Sequence, residues 1–77
     1  MARVFSQHAY AGKFHLEVRY IAETRWEWFV VDAKKTSDTI FCGESKTLED
    51  ARKSAAGAVG LAKAEWRPIG PPIELPD

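Results

Sequence analysis

The sequence predicts an α+β fold: a three-stranded antiparallel sheet in β-β-β-α order, one helix packed on one face, and an extended proline-rich C-terminal tail. Three observations predict it. Apolar and polar residues alternate from Phe14 to Ala22, and apolar residues recur on both faces from Arg25 to Val31, the two-residue period of strands. From Thr47 to Ala64 the period lengthens to 3.6, with Leu48, Ala51, Ala55, Val59 and Ala62 on one stripe. All four prolines fall after residue 67. These patterns place strands at about 14–22, 25–32 and 38–42, a helix at about 47–65, a single domain over 1–66 and a tail over 67–77.

Taken in order, residues 1–13 carry the weakest pattern. Val4 and Phe5 can begin a short strand, and His8 to Lys13, with Gly12, reads as a loop. In the first strand Phe14, Leu16, Val18 and Tyr20 face one way and His15, Glu17 and Arg19 the other. A short turn at 22–25 lacks the Asn-Gly pair of a tight hairpin. In the second strand Trp26, Trp28 and Val30 oppose Glu27, Phe29 and Val31; apolar residues on both sides mark a central strand. Gly43 ends the third strand. Thr47 caps the helix, with Glu49 and Asp50 in its first turn suited to the positive end of the helix dipole. The alanines of the stripe leave room for Trp26 and Trp28 beneath the helix. Gly57 and Gly60 weaken its second half, at about 0.8–1 kcal/mol each against alanine. Pro68 stops the helical region.

Charge and composition bound the function. Eleven Lys and Arg balance eleven Asp and Glu, so the basic excess that marks many nucleic-acid binders is missing. A single cysteine excludes an internal disulfide, in keeping with a cytoplasmic protein. No apolar run reaches the ~18 residues of a membrane span, and the start lacks a signal-peptide core.

Catalytic chemistry is not indicated. Cys42 has no neighbour that would lower its pKa and is expected to be a buried structural thiol. His8 and His15 lack metal-ligand spacing, and His15 reads as a solvated strand residue. Arg19 and Arg25 offer Glu17 and Glu27 ordinary surface pairs. No phosphate-binding glycine loop is present. We therefore expect no enzyme, no metal, no cofactor and no small-molecule substrate.

Gly43-Glu44-Ser45-Lys46, followed by Ala51-Arg52 and Ala55-Ala56, resembles the end of a double-stranded-RNA-binding domain. That family has three antiparallel strands and a helix whose first turn presents lysines to phosphates. The resemblance covers the last third of such a domain and implies phosphate contacts for Lys46, Arg52 and Lys53. Here Thr47, Leu48, Glu49 and Asp50 stand where that family has its basic start. Trp26-Glu27-Trp28 followed by Thr47-Leu48-Glu49-Asp50-Ala51 is also similar to small uncharacterised bacterial and phage proteins of β-β-β-α order; that resemblance implies no activity.

One helix covers one face of a three-stranded sheet, which leaves Phe29, Val31, Ile21 and either Phe41 or Ile40 uncovered. Such patches mark interfaces. The tail adds Ile69, Ile73 and Leu75 among its prolines. The expectation is a small non-enzymatic protein-interaction module, a homodimer or the binder of a protein partner, used as an accessory or inhibitor protein of a phage or mobile element. The alternative is duplex RNA or DNA binding through Lys46, Arg52, Lys53 and the Lys34-Lys35 loop.

Overall fold

The structure, a computed structural model, describes residues 2–34 and 39–75. Strands β1 (Ala2–Ala11), β2 (Phe14–Ala22), β3 (Arg25–Asp32) and β4 (Thr39–Ser45) precede helix α1 (Leu48–Ala58), and strand β5 (Arg67–Leu75) follows it. All five strands form one antiparallel sheet in the order β4-β3-β2-β1-β5. The expected three-stranded sheet with an extended tail is thereby corrected. β2 and β3 lie where the sequence placed them, and β4 runs three residues past its expected end at Cys42. The N-terminal stretch and the tail are two further strands, paired with each other at the far side of the sheet.

Both additions have local causes. A two-residue turn joins β1 to β2, with Ala11 opposite Phe14 and Gly12 at φ 59. That positive φ at the first central position is what a type II′ hairpin needs, and glycine supplies it without strain. His8, Ala9, Tyr10 and Ala11 are therefore strand rather than loop. β5 is an edge strand, so its prolines can turn their missing N–H groups away from β1. Its pairing runs from Arg67 with His8 to Leu75 with Ala2, and an irregularity between Ile69 and Ile73 takes up Gly70, Pro71 and Pro72.

The helix starts as expected: the Thr47 hydroxyl accepts the Asp50 N–H at 3.1 Å. It stops seven residues before the expected end at 65. Gly60, at φ 75, places Leu61 N–H on Ala56 C=O at 2.9 Å, and donates its own N–H to Gly57 C=O at 3.0 Å. This is the Schellman ending, in which a left-handed residue satisfies the last carbonyls. Gly60 is thus a terminator and not a weak interior position.

Helix α1 packs against β2, β3 and β4. Ala51 and Ala55 are fully buried and let the helix approach closely. One cluster joins Ala9, Leu16, Val30 and Ala55; another joins Val18, Trp26 and Ala51. Trp28 and Trp66 border both, so the indoles of β3 do lie beneath the helix, and Trp66 reaches the core although the helix has ended. Gly43 does not end β4. It sits opposite Trp28, whose indole occupies the space a side chain would need.

Candidate functional site

Residues directly opposite one another on antiparallel strands project to the same side. The row Pro68, Gln7, Val18, Trp28, Gly43 and the row Ala9, Leu16, Val30, Phe41 therefore face the helix. The other side carries the row Arg67, His8, Glu17, Phe29, Cys42, which crosses all five strands, and the row Tyr10, His15, Val31, Thr39. The helix does not cover this second face. β1 and β5 widen it, because they join the sheet edge to edge instead of folding over it.

The open face holds a shallow recess of about 410 Å3, lined by His15, Glu17, Arg19, Phe29, Val31 and Thr39. Phe29 and Val31 are half-buried, and the Arg19 guanidinium lies 5.3 Å from the Phe29 ring centroid. Arg19 also meets Glu17 at 2.9 Å, and Arg25 meets Glu44 at 2.8 Å. Both are exposed ion pairs of small energetic weight.

Beside the recess stands a cluster the sequence did not announce. Tyr10 is exposed and stacks on His15 at 4.6 Å between centroids and 19° between planes. His8 Nδ1 lies 3.1 Å from His15 Nε2, so one imidazole donates to the other. His15 is half-buried, not the freely solvated residue expected. The alternation of His8 and Tyr10 with Ala9 and Ala11 was the available signal, but without a hairpin at Gly12 it could not be read as a strand.

Burial holds the His15 imidazole below its ordinary 6.5; Glu17 opposes this and His8 adds to it. The neutral ring is the form the fold favours. Its contribution to stability is complete above about pH 6.5 and is lost as pH falls below that value, where the unfolded chain binds the proton more readily. Thermal midpoints should therefore drop between pH 7.5 and 5, and His15→Gln should flatten that slope. An unchanged slope in the variant would assign the pH dependence elsewhere.

The other predicted residues divide. Ile21 is exposed and sits in a bulge between Tyr20 and Ala22. Phe41 is exposed, but its pairing with Val30 puts it on the helix side of the sheet and not beside Phe29. Ile40 occupies a bulge in β4. Cys42 shares the open face with Phe29 and is exposed, which corrects the expected buried thiol: an edge strand on an uncovered face leaves it in water. Ile69, Ile73 and Leu75 are half-buried in β5, opposite Ser6, Val4 and Ala2.

No family model, curated protein or solved structure matches this chain.

Of the positions expected to touch duplex phosphates, Arg52 and Lys53 line one recess on the helix side, whereas Lys34 lies far from Lys46. Lys46 follows the end of β4 that pairs with Trp26, whereas Lys34 follows Asp32 at the opposite end of β3. The length of β3, on the order of 20 Å, lies between them. Lys35 lies outside the described residues. Arg52 is half-buried and donates through Nε to Gln7 Oε1 at 2.9 Å, with Nη2 directed at the same oxygen. Lys53 is exposed on the helix. Among the described residues, no set of three or more His, Cys, Asp or Glu side chains is placed to hold a metal, and no helix is long and apolar enough to cross a membrane.

Proposed function

We propose that this protein is a non-enzymatic interaction module that binds a second copy of itself through the open face of its sheet. It acts by occupying a surface, as an accessory or inhibitor protein does. The observation that carries this reading is the five-strand open face itself. It presents Phe29 and Val31 on β3 and Tyr10 stacked on His15 beside them, and strands β1 and β5 extend it edge to edge rather than folding over it.

Two further features favour a like partner. A two-fold interface needs one patch to complement itself. This face carries cations and carboxylates together, Arg19 and Arg67 with Glu17 and Glu27, so it can offer each charge an opposite one. The chain's formal net charge of zero removes long-range repulsion between copies. The exposed free thiol of Cys42 suits a reducing compartment such as the cytoplasm.

Light scattering tests the reading. The wild-type chain should have the mass of a dimer at low and at high salt, because the centre of the contact is apolar. Phe29→Lys with Val31→Lys should raise the dimer dissociation constant at least about tenfold, as expected when central contacts are lost. Far-UV circular dichroism would verify that the variant remains folded. A wild-type monomer at both salts, or a variant that dimerises as the wild type does, would sink the proposal.

A further inference from the structure

On the helix side, away from the open face, a recess of about 370 Å3 lies between α1 and the segment that follows it. Arg52, Lys53 and Lys63 line it, with Trp66 and the small Ala56 and Ala64 as its apolar part. We propose that this groove binds a nucleoside phosphate, with the phosphate held by the three cations and the base against the Trp66 indole. The proposal is independent of the self-association above.

The groove exists because the helix stops early. Gly60 reverses the chain after Ala58, and residues 61–66 return beside α1 towards β5. Had the helix continued, Lys53 and Lys63 would stand ten residues apart, about 15 Å along one axis. The reversal brings both to one recess.

Charge then selects the ligand. In a chain with equal numbers of cations and carboxylates, this recess gathers three cations against one carboxylate, Glu49. Among the described residues the ion pairs engage Arg3, Arg19 and Arg25, each with a glutamate, and none engages Arg52, Lys53 or Lys63. Arg52 is fixed by the Gln7 side-chain oxygen, a neutral acceptor. That contact orients the guanidinium without pairing its charge to a carboxylate. A recess with an excess of one sign of charge concentrates counter-ions, and a phosphate suits a guanidinium because it can accept two parallel N–H bonds.

Size and shape narrow the class. The volume lies near the lower end of the roughly 300–1,000 Å3 found for small-molecule sites. Inorganic phosphate would leave much of it empty, whereas a base attached to the phosphate would meet the alanines and the indole. Aromatic side chains stack bases of any identity, so no base preference is implied. The same chemistry is offered by a free nucleotide and by the phosphorylated end of a single strand.

Calorimetric titration of the full chain with ADP, with a 5′-phosphorylated thymidine tetranucleotide and with inorganic phosphate tests the proposal. Saturable binding of ADP or the tetranucleotide is expected, weakening with salt. Lys53→Glu with Lys63→Glu should lower the affinity at least tenfold. Both lysines are exposed, and circular dichroism would confirm folding; Lys53→Gln with Lys63→Gln replaces that variant if it does not fold. Binding of ADP identifies the free nucleotide as sufficient, and binding of the tetranucleotide alone identifies a strand end. The proposal is overturned if neither ligand saturates at millimolar concentration, if the variants bind as the wild type does, or if inorganic phosphate binds as tightly as ADP.

Discussion

Leu16→Ala is expected to cost this protein a large share of its stability, towards the upper end of about 2–5 kcal/mol. Leu16 has no exposed surface and sits where Ala9, Val30 and Ala55 meet. Two of those three neighbours are alanines, with no rotamer able to swing into the space left behind. Buried Leu→Ala changes cost about 2–5 kcal/mol, and sites that cannot collapse lie towards the upper end. At typical values per residue, a chain of 77 residues has a total stability of about 4–12 kcal/mol. The substitution thus removes a large share of it. Urea denaturation followed by tryptophan fluorescence would measure the loss, and Leu16→Met, which conserves volume, should cost less than about 1.5 kcal/mol. A loss below about 1 kcal/mol for the alanine variant would mean that Leu16 is not the centre of the core.

Gly43→Val is expected to destabilise the fold by about 1–3 kcal/mol, the range for overpacking a filled site. A β-carbon at residue 43 would lie 2.8 Å from Cε2, Cζ2 and Nε1 of Trp28. The indole cannot yield easily, because it is a rigid plate that borders both core clusters. Strand propensity alone gives the opposite sign, since valine favours a strand where glycine weakens it. The sign of the change therefore decides whether the indole lies over the glycine. Chemical denaturation would give the sign, and the near-ultraviolet dichroism of the tryptophans should change with it. A neutral or stabilising result would place the Trp28 ring elsewhere.

Much of the fold was legible wherever one element buries one face. Leu16, Val18 and Val30 alternate with polar or half-buried neighbours, and they are the three largest fully buried side chains. The alanine stripe did identify the helix face, since Ala51 and Ala55 are both fully buried. The two added strands were not legible, for different reasons. β1 is recognisable only once Gly12 is known to turn the chain. β5 carries prolines, which argue against a strand unless its outer edge is free.

The candidate surfaces divide in the same way. Phe29 and Val31 followed from apolar residues on both sides of β3. Tyr10, His8 and His15 did not, because their meeting depends on the register Tyr10 with His15 and His8 with Glu17. The recess at Arg52, Lys53 and Lys63 depends on where the helix ends, and a 3.6-residue pattern continues past Gly60 as readily as it stops there.

By itself, the sequence determined strands β2 and β3, the helix cap at Thr47 and the core-facing side chains of β2, β3 and α1, because these depend on side chains within a few residues of one another. The tertiary structure alone decided the sheet of five strands, the meeting of Tyr10 and His8 with His15, and the gathering of three cations beside Trp66. Each of those depends on which distant segment supplies the missing hydrogen bonds of an edge, or on which way the chain turns at one glycine. Local periodicity carries no information about either.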